Sequence, residues 1–174
     1  YVAAATLALD GQIYRDFMYI QTPYWAFVLG SAFELVGERP FLVARLTNWL
    51  LSSASVATLF LIARQGGASR FVALGAATLF ASSSVVSFSF GTTRNDILPL
   101  LFALLGVYAY LRASWASPRA RVLQTLLAGV LLAAAVGSKI SFAFAPLAIV
   151  AFSLARQVSE RDPHYWTREF LPLA

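Results

Sequence analysis

Long apolar runs punctuated by short polar clusters fill the chain. A helix needs about 20 apolar residues, at roughly 1.5 Å each, to cross a hydrocarbon core of about 30 Å. Residues 41–63, FLVARLTNWLLSSASVATLFLIA, satisfy this, with Pro40 placed for a first helical turn. Residues 71–90, FVALGAATLFASSSVVSFSF, carry no charge. Residues 96–112 make a shorter span whose terminal Arg112 can snorkel. The apolar stretch after Arg121 is too long for one span. Gly137-Ser138-Lys139 divides it into a hairpin, with spans at about 121–138 and 140–156. Residues 22–37, TPYWAFVLGSAFELVG, read as a short helix at the membrane edge, because Glu34 and the terminal Gly37 argue against a full crossing. It sits in a first outer loop of residues 1–40, and residues 157–174 read as a cytoplasmic loop or the start of a next segment. The pattern predicts an all-α, polytopic transmembrane helical bundle.

Composition agrees with the pattern. Hydrophobic residues make up 59% of the chain and charged ones 12%, about half the charged share of a soluble domain. Mean hydropathy is +0.71. Too little polar surface remains to face water, so the lipid bilayer is the expected partner. With no cysteine and one histidine, His164, thiolate metal sites, disulfides and a Ser-His-Asp triad are poor fits. The net charge of +5 comes from arginines scattered singly between apolar runs, which suits membrane topology signals and not a nucleic-acid stripe.

Positive charge sets the expected sidedness. The loop RQGGASR carries Arg64 and Arg70 without an acid, and RASWASPRAR carries Arg112, Arg119 and Arg121 without one. These loops are expected on the cytoplasmic face. Residues 1–40, the Thr92–Asp96 turn and the Gly137–Lys139 turn then lie on the opposite face. The serines of 71–90 suit close helix packing in lipid, and Trp49, Trp115 and Trp166 fall near the predicted interfaces as aromatic anchors.

Three polar groups converge on that outer face. They are LDGQIYRDF, with Asp10, Tyr14, Arg15 and Asp16; TTRND, with Arg94 and Asp96; and Lys139, the one lysine of the chain. Arg45 lies about one turn inside its span, with Asn48 three residues on. Charge at membrane depth costs several kcal/mol unless paired or hydrated, so it marks function or a structural ion pair. Plain readings stand beside the chemical ones. Asp96 is placed to cap the helix that starts at Ile97; Lys139 is also a snorkelling turn residue; Arg45 is also a partner for Glu38 or Asp16; Asp10 before Gly11 is also a turn residue. A carboxylate can take a proton from an acceptor hydroxyl or hold a divalent cation, and Arg and Lys can neutralise a phosphate leaving group. Sugar transfer from a lipid phosphate needs that combination.

The stretch LDGQIYRDF…TPYWAFVLGSAFELVGERPFLVARLTNWLL resembles the early region of GT-C fold membrane glycosyltransferases. These include bacterial family-39-like enzymes, aminoarabinose transferases and protein O-mannosyltransferases. The shared pattern is a Gly, a Tyr-x-Asp unit, a Pro-led short helix ending in Gly, and Ala-Arg-Leu opening the next span. RNDILPLLFALLGVYAYLRA and AVGSKISFAFAPLA resemble the family's acid at a following span and its Gly-x-Lys turn. The resemblance implies Asp16 and Asp96 as catalytic acids and as ligands of a divalent metal of unknown identity. It implies Lys139 as a substrate-binding residue, and the residues' own charge and place on one face add Tyr14, Arg15, Arg45 and Arg94 as further candidates for binding substrate. The donor is a polyprenyl-phosphate-linked sugar and the acceptor a lipid, protein or glycan. The setting is a bacterial inner (plasma) membrane with the site on its outer face, and no nucleic acid is involved. The family's principal acid usually lies in an Asp-Glu pair just before the position of Tyr1, and its Pro-Pro is Thr22-Pro23 here. The resemblance therefore implies an N-terminal fragment, inactive alone.

Two other classes compete. A secondary transporter or lipid flippase would carry its charges near the bilayer midplane, often with an internal repeat, whereas no repeat is visible and the charges gather at one face. A non-catalytic membrane subunit would use the polar turns as caps alone.

Overall fold

The computed structural model describes residues 2–18, 22–36, 39–92 and 94–160. Residues 161–174, and with them most of the expected last loop, lie outside the described residues, as do Gly37 and Glu38. The elements of the described chain are helices: α1 Val2–Asp10, α2 Tyr24–Val36, α3 Pro40–Gln65, α4 Arg70–Ala81, α5 Ser84–Gly91, α6 Ile97–Ala113, α7 Pro118–Ser138 and α8 Phe144–Glu160. A 3-10 turn, Ile140–Ala143, joins the last two.

Helix starts and stops follow local chemistry. Pro40 and Pro118 open α3 and α7 at positions where the missing N–H would be unpaired anyway. Pro99 and Pro146 lie in the first turns of α6 and α8 for the same reason. α3 ends at Gly66 and Gly67, the latter at φ 87°, a conformation that suits glycine. Arg64 Nη1 donates to the Ala68 carbonyl at 2.7 Å, and the Ser69 hydroxyl accepts from Val72 N–H at 3.3 Å to start α4.

The stretch 71–90, expected as one span, is two helices. Ser82 turns its hydroxyl back on the Leu79 carbonyl at 2.9 Å, and Ser83 is extended at φ −62°, ψ 147°. Serine hydroxyls offer the backbone local alternatives to the helical ladder, and three in a row break it. A second addition to the expected pattern is α1, within the residues 1–40 expected as an outer loop, which packs on α2.

α6 and α7 form the central pair. Gly106 lets them meet: a Cβ there would stand 2.8 Å from Leu132 Cγ, the close approach that small residues permit between helices in lipid. α3 lies on the other side of α6. Its buried stripe of Asn48, Ser52, Ser55 and Thr58 is polar, with Ser55 and Thr58 bonded back to Leu51 and Ala54 carbonyls at 2.8 and 2.7 Å. One core unites α1, α2, α3 and the start of α6 through Ala5, Trp25, Leu29, Phe33, Ala44 and Ile97. α8 is tied to α6 by the buried Tyr110 Oη···Ser153 Oγ hydrogen bond of 2.6 Å.

α3 and α7 are long and apolar enough to cross a membrane, at 26 and 21 residues, yet only 22% and 17% of their most apolar windows are buried. A soluble core helix of that hydropathy would be mostly covered. Phe71 and Leu79 of α4 are 86% and 75% exposed. Apolar faces turned outward on this scale match a lipid surrounding.

Candidate active site

The core fixes where α6 begins. Ile97 and Leu98 are buried against Trp25, Leu29 and Ala44, so the turn before them is held at one end of the bundle. Asn48 Nδ2, fully buried on α3, donates to the Thr92 carbonyl at 2.6 Å and ties the turn from the other side. Asn95 packs inward at 2% exposure. Arg94 and Asp96 flank it.

Asp96 occupies the N-cap position of α6 but does not cap it. Its backbone is helical, at φ −77°, ψ −28°, and its side chain makes no hydrogen bond to the helix N–H groups. Capping needs an extended N-cap backbone that folds the side chain over the first turn, so the capping expectation is overturned. The carboxylate instead meets two cations. Lys139 Nζ donates to Oδ1, and Arg94 Nε lies 3.4 Å from Oδ2. The Arg94 guanidinium also sits over the Phe88 ring, 5.3 Å from its centroid. The Asp96 side chain is 19% exposed, Lys139 36% and Arg94 50%. The pair is half-shielded, and its cations remain reachable from one side.

Lys139 is presented by a break. Its backbone is extended at φ −160°, ψ 115° between α7 and the 3-10 turn. Its N–H reaches the Ala135 carbonyl at 3.0 Å and its own carbonyl accepts from Phe142 N–H at 2.9 Å.

Tyr14, Arg15 and Asp16 form a separate turn after α1. Gln12 N–H donates to Asp16 Oδ2 at 2.8 Å, Arg15 Nε is 3.6 Å from Oδ1, and Arg15 Nη1 donates to Gln12 Oε1 at 3.2 Å. Tyr14 N–H bonds the Phe17 carbonyl at 3.0 Å, with Tyr14 at φ 72° and well exposed. A non-glycine residue in that region costs roughly 1–2 kcal/mol, a strain located at the tip of the turn that carries Asp16. Arg45 joins neither group. It is exposed on α3, while Asn48 points into the core; three residues apart, the two diverge by about 60° around the axis. Asp10 is exposed at the end of α1.

The structure thus brings Arg94, Asp96 and Lys139 together. Among the described residues, Asp16 and Asp96 have no partner in common. Sequence reasoning missed Thr22, whose hydroxyl donates to the Ser138 carbonyl beside Lys139; no signal in the chain marks that pairing across the fold.

The donors do not fit a divalent cation. Each of the two carboxylates is already matched to a cationic side chain, and no group of three His, Asp or Glu able to hold a metal occurs among the described residues.

An apolar groove of about 390 Å³ opens between α6, the 3-10 turn and α8, lined among others by Leu100, Ala103, Leu104, Phe142, Phe144 and Ile149. Its one end adjoins the charged cluster: Leu100 N–H bonds the Asp96 carbonyl at 3.3 Å, and Phe142 N–H bonds that of Lys139.

The family model of dolichyl-phosphate-mannose-protein mannosyltransferase matches residues 12–162. The chain belongs to this family. It is an integral membrane glycosyltransferase chain, and the family match spans the Asp16 turn, the Asp96–Lys139 pair and the groove alike. The GT-C resemblance drawn from the sequence holds. Among curated proteins and among solved structures, nothing matches the chain.

Proposed function

We propose that the Asp96–Lys139 pair is the donor end of a site that transfers a sugar from a polyprenyl phosphate to a hydroxyl of a lipid, protein or glycan. The observation that carries this reading is one carboxylate held between Lys139 and Arg94, within one helical turn of residues that line an apolar groove. A lipid phosphate has the complementary form, an anionic head on a long apolar tail.

In the donor-free state Asp96 is the counter-ion of both cations. A donor phosphate takes over Lys139 and Arg94, the tail lies along α6 and α8, and the freed Asp96 carboxylate turns from them toward the far face of the sugar, where it acts as base. The acceptor oxygen attacks the anomeric carbon from the side opposite the phosphate. The anomeric C–O bond breaks, the polyprenyl phosphate leaves with the electron pair, and the acceptor proton passes to Asp96. The configuration inverts. Lys139 and Arg94 offset the charge that grows on the leaving phosphate. Tyr14, Arg15 and Asp16 form the acceptor side, and the strained Tyr14 presents its ring outward there. Arginines 64, 70, 112, 119 and 121 mark the opposite face as cytoplasmic, so transfer takes place on the outer face, in bacteria that of the inner membrane.

The test measures mannose transfer from radiolabelled polyprenyl-phosphate mannose by the protein as it is made in its membrane. Asp96→Asn is expected to lower kcat by about 10²–10⁴-fold, the usual share of a general base. Full activity in that variant overturns the assignment.

A further inference from the structure

Lys139 stands in a break between two helices, so its placement depends on what holds the end of α7. Ser138 is the last residue of that helix, and the final carbonyls of a helix have no partner within it. The Thr22 hydroxyl donates to the Ser138 carbonyl. One residue earlier, the Tyr24 ring lies against Gly137, where a Cβ would come within 3.2 Å of Tyr24 Cε2. The first outer loop therefore grips two consecutive residues immediately before the lysine.

That grip is anchored firmly. Thr22 precedes Pro23, which biases it to an extended backbone. The Pro23 carbonyl accepts from Phe27 N–H at 3.1 Å, and α2 is pinned in the core by Trp25 and Leu29, at 2% and 0% exposure. A continuous path of contacts runs from the core through α2 and Thr22 to Ser138, Lys139 and Asp96.

We infer that Thr22 is a positioning residue: its hydrogen bond to Ser138 sets the end of α7 so that Lys139 meets Asp96 and, in turn, the donor phosphate. The last step rests on the donor reading above; the first does not. Lysine is a compact charge on a flexible stem, so its usefulness at one point depends on where its Cα is held.

Lys139 is the one lysine in the chain, which gives a direct readout. Acylation of its ε-amine by an amine-reactive ester, followed by peptide mass spectrometry, reports its engagement with Asp96 without any donor. Thr22→Val keeps the volume and removes the hydroxyl; it is expected to raise the acylation rate about three- to tenfold, the scale of one hydrogen bond. Thr22→Ser, which keeps the donor group, is expected to restore the wild-type rate within about twofold. Thr22→Ala is the second hydroxyl-free variant and must behave as Thr22→Val does. Acylation at the wild-type rate in a hydroxyl-free variant, or no rescue by serine, overturns the inference. Donor binding separates the two ideas. Lys139→Met is expected to weaken binding of radiolabelled polyprenyl-phosphate mannose by at least about tenfold, and Thr22→Val to weaken it less. The double variant is then expected to bind no worse than Lys139→Met, because Thr22 acts through the lysine. Multiplying defects overturn that route, and unchanged binding in Lys139→Met overturns the donor reading while the acylation result stands.

Discussion

Asp96 and Asn48 illustrate how little a residue's neighbours in sequence reveal about its role. Asp96 stands where an N-cap is expected, and its position before Ile97 is fully legible from the chain. Its helical backbone turns the carboxylate off the helix end and onto Lys139 and Arg94, and no local pattern encodes that choice. Asn48 reads as a companion of Arg45 by spacing, yet it is buried while Arg45 is exposed. Its amide holds the turn that carries Arg94 through the Thr92 carbonyl. Asn48→Ala is therefore expected to lower the unfolding free energy by about 1–2 kcal/mol, the cost of orphaning a buried partner, seen as a reduced melting temperature in detergent. An unchanged melting temperature would show that the turn is held by other contacts.

The helices themselves were mostly visible in the apolar periodicity, because each span must be apolar around its circumference to sit in lipid. α3, α6 and α7 fall at 40–65, 97–113 and 118–138, within a few residues of their expected bounds of 41–63, 96–112 and 121–138. The broken stretch 71–90 was not visible, since hydropathy measures apolar content and is blind to hydroxyls that compete for the backbone. The function of individual glycines is equally hidden from composition. Gly106 faces Leu132 at contact distance, whereas Gly129 of α7 has open space around it. Gly106→Val is expected to cost about 1–3 kcal/mol by overpacking the α6–α7 contact. Gly129→Ala is expected to gain about 0.5–1 kcal/mol from helix propensity alone. Thermal melts of the two purified variants should move in opposite directions; a common shift would contradict the packing described.

At the scale of the molecule, the arginine asymmetry and the tertiary contacts agree on which turns share an end. Thr22 meets Ser138, Asn48 meets Thr92 and Lys139 meets Asp96, so the turns expected on the outer face are in contact with one another. The chain has no cysteine, so single cysteines can be placed freely. A membrane-impermeant maleimide added outside sealed cells should label Met18→Cys or Ile140→Cys, both at exposed positions, and leave Ser117→Cys and Gly67→Cys unlabelled until the membrane is opened. The reverse pattern would invert the proposed orientation. By itself the sequence determined the membrane class, the positions of the long helices, the expected sidedness and the family resemblance. These follow from composition, from period and from charges that lie close together along the chain. Only the tertiary structure decided which charges become partners. Asp96 and Lys139 lie 43 residues apart and Thr22 and Ser138 lie 116 apart, and such pairs form only when helix packing brings their ends together. For the same reason it separated Asp16 and Arg45 from the cluster: a helix face and a turn's own hydrogen bonds, both set by packing, decide where a polar side chain is spent.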